Sequence, residues 1–224
     1  MDIFLQQIVN GLVQGSIYAL VALGYTMVYG IMGLINFAHG EVVMIGTLVT
    51  ITVAGSLIKA GMPVALAGLA GLSASVLVCM ALGWGLERIA YRPLRGSNRL
   101  IPLISAIGMS IFLQNTVLLS QDSKDKSIPN LIPGNFVFGS GGASEVVISY
   151  MQVLIFIVTF LVMLALTLFI SRSRLGRACR ACAEDIKMAN LLGINTNNII
   201  ALTFVIGAAL AAVAAVLLSM QYGV

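Results

Sequence analysis

Charged side chains are scarce in this 224-residue sequence: they make up only 9% of it, while hydrophobic residues make up 59%. A soluble domain is about a quarter charged, so a water-soluble fold would have too little polar surface to cover this chain. The mean hydropathy of +1.04 agrees with that conclusion. The composition therefore excludes an ordinary soluble protein and indicates an integral membrane protein.

Residues that commonly carry chemistry are also scarce, with one histidine and three cysteines in the whole chain. Cys179 and Cys182 form a CxxC, but two thiols without a further Cys or His nearby cannot complete a zinc site. Helix packing is the favoured interpretation of this pair, and redox chemistry is the alternative. Neither a P-loop nor a G-x-S-x-G sequence occurs. We therefore expect no catalytic residue, no metal site and no cofactor.

A basic amino-terminal segment is missing as well. The first positive charge is Lys59, and Asp2 is the only early charge. A cleavable signal peptide begins with a basic segment, so none is predicted.

Six apolar segments of membrane-spanning length follow one another along the chain. A helical span needs about 20 apolar residues, whereas barrel strands alternate polar and apolar over about ten. The sequence therefore predicts an all-α, polytopic transmembrane helix bundle, with residues 1–224 forming one domain. The predicted spans are residues 8–32, 41–58, 63–86, 100–120, 151–170 and 199–218.

Segment 121–149 is the one long polar stretch between these spans. Its strings NFVFG and EVVIS alternate enough to form a short β-hairpin, although a plain loop is the favoured interpretation.

Positive charge is concentrated in two short segments, which hold nine of the twelve Lys and Arg residues. Such clustering between spans is typical of cytoplasmic loops, so the net charge of +4 needs no nucleic-acid partner. Segments 88–99 and 171–198 are predicted to be cytoplasmic and 121–149 external. The amino terminus is then external, unless a broken helix around 33–40 changes the count. The nine are Arg88, Arg92, Arg95, Arg99, Arg172, Arg174, Arg177, Arg180 and Lys187.

Polar and small side chains follow one face of the first span. At 100° per residue they fall within about 40° of one direction. A polar stripe facing lipid would be costly, so we expect it to face the bundle interior. Interhelical hydrogen bonding and a translocation path both remain open as its role. The members are Gln7, Gly11, Gln14, Tyr18, Tyr25, Tyr29 and Asn36.

The string NFAHGE, residues 36–41, places the only histidine two residues from a glutamate between two apolar spans. Asn36 is a candidate helix cap, and Glu41 lies where a helix N-terminus favours negative charge. His39 is expected to pair with Glu41 or to hydrogen-bond a freed carbonyl. A structural role is favoured over contact with a substrate.

The second basic segment contains a predicted helix from about Ala178 to Leu192, which stops at Gly193. Such a helix between spans either rests on the membrane surface or docks into a partner. Its predicted apolar face has no Trp or Phe, so docking into a partner is favoured. That face consists of Ala178, Ala181, Cys182, Ile186 and Ala189.

The string KMANLLG, residues 187–193, resembles the E-A-A-x-x-x-G loop by which the permeases of bacterial ABC importers engage their ATPase. Together with GYTMVYGIMGLINFAHGE (24–41), ERIAYRPLR (87–95) and GRACRACAEDIKMANLLGI (176–194), it resembles the first permease subunit of the high-affinity branched-chain amino-acid importers. The resemblance extends from Gln6 to Val224. Two departures stand out: Lys187 replaces the Glu of the motif, and family members continue through further spans, so this sequence is expected to be a truncated member.

The resemblance implies a permease in the bacterial inner membrane for leucine, isoleucine or valine, which has no enzyme activity of its own. Its expected partners are a homologous second permease, two ATPase subunits, a soluble substrate-binding protein and membrane lipid. The alternative is an ATP-independent channel or secondary transporter, which more often shows an inverted repeat or an intramembrane acidic site. ATPase coupling is expected at Arg180, Glu184, Asp185, Ala189 and Gly193, and the translocation path at Tyr18, Tyr25, Tyr29, Asn36, His39 and Glu41.

Overall fold

The computed structural model describes residues 2–98, 100–121, 134–138 and 146–222. Six of its helices are long and apolar enough to cross a membrane, which confirms the predicted all-α, six-span bundle. The helices are α1 (Asp2–Met32), α2 (His39–Lys59), α3 (Val64–Leu86), α4 (Leu100–Ser120), α5 (Tyr150–Arg172), α6 (Arg174–Glu184), α7 (Ile186–Leu191) and α8 (Thr196–Tyr222). Of these, α6 and α7 are the short ones.

Three smaller elements complete the fold. A π-helical turn, Glu87–Tyr91, and a 3₁₀ turn, Arg92–Leu94, extend α3. Strands β1 (Asn135–Phe138) and β2 (Val146–Ser149) pair antiparallel, with Asn135 opposite Ser149. The favoured interpretation of a plain loop is therefore wrong for these residues, because their alternating pattern pairs as a hairpin.

One end of the bundle, here called the hairpin end, gathers the start of α1, the β-hairpin, the start of α5 and the last turn of α8. Gln6 exchanges two hydrogen bonds with the backbone of Val147, at 3.0 and 2.9 Å. Gln152 donates to Asn10 Oδ1 at 3.1 Å. These contacts fix the hairpin against the first helix.

The opposite end, here called the arginine end, gathers the 33–38 turn, the π-turn with residues 92–98, and α6, α7 and the start of α8. Tyr91 of the π-turn donates to Asn36 of the first turn at 2.9 Å, so these two connections lie together. Helices α1 and α2 therefore both cross the bundle in full, as the predicted count of spans requires.

Helix α8 lies at the centre and packs against α1, α2 and α3. Small residues allow this close approach, which holds helices together where lipid removes the hydrophobic effect. A Cβ added at Gly83 would lie 2.6 Å from Ala208 Cβ, and one added at Gly207 would lie 3.1 Å from the carbonyl oxygen of Gly24. The small residues of α8 thus serve packing.

Candidate functional site at the arginine end

The NFAHGE turn is a compact polar structure between α1 and α2. Asn36 Oδ1 accepts hydrogen bonds from the Ala38 backbone at 3.1 Å and from the Tyr91 hydroxyl at 2.9 Å. The residue that precedes α2 as its N-cap is Ala38. Asn36 is therefore not the cap that the sequence predicted, because its side chain closes the turn and anchors it to the π-turn of α3.

His39 does not pair with Glu41. Its imidazole is 2% exposed and lies against Tyr25, with 4.5 Å between ring centroids. Glu41, in the first turn of α2 as predicted, instead accepts a hydrogen bond from Ser110 of α4 at 3.0 Å. His39 Nε2 has no hydrogen-bond partner among the described residues. The histidine therefore fills space between α1 and α2, and the glutamate links α2 to α4.

The predicted polar stripe of α1 does not face the interior of this chain. Tyr18 and Tyr29 are 58% and 53% exposed, whereas Tyr25 is half-buried beside His39. The interior face of α1 is apolar and consists of Val13, Ile17, Leu20 and Val28. Within this chain the expectation was wrong for Tyr18 and Tyr29, because the apolar face of α1 is the one that packs against α8.

A buried ion pair joins the π-turn to the start of α8. Glu87 is 1% exposed and forms a salt bridge with Arg95, whose other terminal nitrogen donates to Asn197 Oδ1 at 2.6 Å. Burial lowers the pKa of Arg95 from its ordinary value, and the charge of Glu87 opposes that shift. Sequence reasoning missed this contact. The available signal was an acidic residue directly after a long apolar span, which requires a cation nearby.

A buried apolar cluster at this end connects six elements: α1, the π-turn, α4, α6, α7 and α8. Tyr91 packs on Phe204 of α8 with 4.9 Å between ring centroids. Cys179 and Cys182 of α6 and Ala189 of α7 belong to the same buried cluster. Burial raises the pKa of both thiols, and both are free. This agrees with the packing interpretation of the CxxC.

The segment between the fifth and sixth spans forms two helices, not one. Asp185 is extended, at φ −152° and ψ 109°, and its side chain caps α7 by accepting from the backbone nitrogens of Lys187 and Met188 at 2.7 and 3.1 Å. The predicted single helix from Ala178 to Leu192 is therefore wrong, because an Asp favours an N-cap over a helix interior. The predicted end is confirmed, since Gly193 follows α7 at φ +84°.

The alanine-rich face does not lie open for a partner. Ala189 is 2% exposed and packs in the buried cluster of this chain, and Ala178 and Ala181 pack against that cluster. The expected docking face is thus covered except at Ile186, because small residues suit close packing within the bundle. Arg180 and Glu184 are exposed.

Met188, Leu191 and Leu192 instead form an exposed apolar face of α7, beside the exposed Lys187 and Asn190, and sequence reasoning did not single these three residues out. Leu191 and Leu192 are 81% and 76% exposed, Met188 is 55% exposed and Ile186 is 37% exposed. In the sequence these residues could be seen in the string IKMANLL, directly after the charged residues Glu184 and Asp185.

No group of three or more His, Cys, Asp or Glu able to hold a metal occurs among the described residues.

Comparison with known proteins identifies the family. The family described as "Branched-chain amino acid transport system / permease component" matches residues 7–224. The chain belongs to this permease family. No solved structure matches it.

Curated relatives agree with the family over nearly the whole chain. The chain is 72% identical over 222 residues to the high-affinity branched-chain amino acid transport system permease protein BraD of Pseudomonas aeruginosa. It is 59% identical to the corresponding permease protein LivH of Salmonella typhimurium and to that of Escherichia coli K12. Each alignment covers 99% of this chain and 72% of the relative.

Membership and the six apolar helices together make the chain a multi-pass membrane permease component of a transport system. The named relatives are transport proteins, and the chain is accordingly a transport subunit.

Proposed function

We propose that the chain is the membrane-spanning permease subunit of an ATP-driven ABC importer for leucine, isoleucine and valine in the bacterial cytoplasmic membrane. The names of the relatives, at 72% and 59% identity, support the substrate class. Residues 1–224 act as one permease domain. A second homologous permease, two ATPase subunits and a soluble binding protein complete the importer, and ATP is hydrolysed on the separate subunits.

The arginine end faces the cytoplasm in this proposal. Arg88, Arg92 and Arg180 are exposed at that end, and exposed positive charge favours the cytoplasmic side. Segments 88–99 and 171–198 are then cytoplasmic, and segment 121–149 with the hairpin is external. Labelling of single cysteines at the two ends from outside the cell tests the orientation.

The exposed face of α7 contacts the ATPase, and its geometry is the observation that carries the proposal. Leu191, Leu192 and Met188 form an apolar patch on a helix outside the spans. An apolar helix face of this kind fits a groove in a partner protein. Arg180, Glu184 and Asp185 lie at the rim, while Ala189 and Gly193 set the position and the end of α7.

The translocation path requires the second permease subunit. Tyr18 and Tyr29 lie on the outward face of α1, where Gln14 donates to the Tyr18 hydroxyl at 3.0 Å. A polar face of a spanning helix is stable against protein or a water-filled cavity, but not against lipid. The path therefore runs between the outward face of α1 and a homologous subunit. Tyr25, Asn36, His39 and Glu41 support its cytoplasmic side.

Replacing Leu191 by Asp tests the ATPase contact. The side chain is 81% exposed, so the variant should insert and fold normally, while a buried charge in the interface should release the ATPase subunits. Leu175→Asp is the matched control, because Leu175 is an exposed leucine, at 47%, on α6. The measurements are co-purification of the ATPase and leucine uptake by cells. Equal recovery and equal uptake for Leu191→Asp, Leu175→Asp and the unsubstituted chain would place the contact elsewhere.

A further inference from the structure

Glu87, Arg95 and Asn197 form a polar bridge between the π-turn and the start of α8. The Glu87 side chain is 2% exposed and that of Arg95 is 18% exposed. A carboxylate buried to this extent is costly unless it is paired, so Glu87 holds the guanidinium in place. The second terminal nitrogen of Arg95 then reaches Asn197 Oδ1 at 2.6 Å. The planar guanidinium of Arg95 thus contacts both the π-turn and α8.

These two elements are far apart in the sequence, although Tyr91 and Phe204 also pack them against each other. Glu87 lies in the π-turn that ends α3, and Asn197 lies in the first turn of α8. Gly193 and Asn195 separate α8 from α7, and the Ile194 backbone nitrogen donates to the Ala189 carbonyl at 3.1 Å. This junction is short and hydrogen-bonded, so a displacement of α7 carries the start of α8 with it. Asn197 then moves relative to Arg95.

The π-turn is a suitable element to receive such a displacement. Single π-turns within α-helices are rare and frequently lie at functional sites. Here the turn also carries Tyr91, which donates to Asn36 between α1 and α2 at 2.9 Å. A shift of the π-turn would therefore also move the turn that joins the first two spans. The guanidinium, a rigid fork with fixed donor directions, transmits position better than a flexible ammonium would.

We propose that Arg95 is a positioning residue that transmits movement of the α7–α8 junction to the π-turn of α3 through its paired contacts with Asn197 and Glu87. This inference rests on the proposed contact between α7 and an ATPase. It assigns no chemistry to Arg95 and no contact with the substrate. Its consequence is that the bridge links ATP hydrolysis to transport without being needed for assembly.

Asn197→Ala is the decisive variant, because Asn197 is exposed and its replacement removes only the acceptor. Asn198→Ala is the matched control, an exposed asparagine at the next position. Arg95→Lys is the second variant, since it keeps a cation near Glu87 and loses the fork. Each is assembled with the second permease, the ATPase subunits and the binding protein in liposomes. The readouts are ATPase recovery, leucine uptake per ATP hydrolysed, and hydrogen exchange of the backbone amides of residues 192–198.

We expect normal recovery of the ATPase with Asn197→Ala and Arg95→Lys, faster exchange across residues 192–198, and uptake per ATP lowered about fivefold, the size of one typical lost hydrogen bond. Asn198→Ala should match the unsubstituted chain. If both variants recover the ATPase and keep the normal ratio of uptake to hydrolysis, this inference is overturned and the proposed function stands. If the unsubstituted chain recovers no ATPase, the proposed function falls, and this inference falls with it.

Discussion

Helices α5 and α8 are both strongly apolar, with mean hydropathies of 3.1 and 2.7, yet 11% of the α5 span and 67% of the α8 span are buried. Hydropathy alone would have ranked α5 as the more central helix. Their difference lies in residue size. The buried face of α8 is rich in glycine and alanine, whereas α5 exposes Phe156, Phe160 and Leu161.

Small residues decide which helix becomes central because lipid is as apolar as leucine. Helices associate in a membrane through close packing and hydrogen bonds, not through removal of apolar surface from water. Gly207 and Ala208 bring α8 close to Gly24 of α1 and Gly83 of α3. The bulky surface of α5 remains available for lipid or for the second permease subunit. Small residues thus lead to burial within the chain, whereas bulky residues of similar hydropathy stay on its outer surface.

Replacing a phenylalanine in each helix gives the largest expected difference. Phe204 of α8 is 2% exposed and packs on Tyr91, whereas Phe160 of α5 is 61% exposed. Phe204→Ala should lower the free energy of unfolding by about 3 kcal/mol, as for other buried aromatic truncations. Phe160→Ala should change it by less than about 0.5 kcal/mol. Denaturant unfolding in detergent measures both, and similar losses would contradict the central position of α8.

A double-mutant cycle at the point where α1 meets α2 and α8 gives the next largest effect. A Cβ added at Gly24 would lie 2.5 Å from two ring atoms of His39 and 3.0 Å from the Gly207 carbonyl oxygen. Gly24→Ala should therefore cost about 2 kcal/mol through overpacking. His39→Ala removes the ring, so the double variant should recover at least about 1 kcal/mol relative to the sum of the single changes.

Gly30→Ala is the control for this cycle, because Gly30 lies on the same helix and an added Cβ would meet nothing within 4 Å. It should be neutral or slightly stabilising, since alanine has the higher helix propensity. Thermal unfolding in detergent separates the four variants. Strict additivity of Gly24→Ala and His39→Ala would show that the histidine does not fill the notch left by the glycine.

Much of the fold could be predicted from the sequence because spans in lipid must be long and apolar. The six spans and the helix end at Gly193 follow from local rules of this kind. The outward position of Tyr18 could not be predicted, since helical periodicity shows which residues share a face but not what that face contacts. The break at Asp185 could not be predicted either, because the residues on both sides of it are compatible with one continuous helix. The bridge of Glu87 and Arg95 joins residues eight positions apart through a π-turn, which ordinary helical spacing does not describe.

Cysteine labelling gives the smallest effect on stability and the most direct test of the two ends. Cys79, Cys179 and Cys182 are all less than 10% exposed, and each lies in a buried cluster that includes residues of α8. Burial raises the pKa of Cys179 and Cys182. A raised pKa means less thiolate near pH 7 and therefore slower reaction with maleimide. The unsubstituted chain should thus label slowly until it is unfolded, with the rate rising as pH is increased.

Single cysteines placed at exposed positions should label quickly against this low background. Asn135→Cys, at the hairpin end, should react with an impermeant maleimide added to intact cells, and Ser97→Cys, at the arginine end, only after the membrane is permeabilised. Both positions are exposed, so each change should alter stability by less than about 0.5 kcal/mol. The reverse pattern would invert the proposed orientation, and would move the α7 patch and the Arg95 bridge to the side of the membrane that has no ATP. Fast labelling of the unsubstituted chain would show that the arginine-end cluster is open and that α8 does not hold α6 in place.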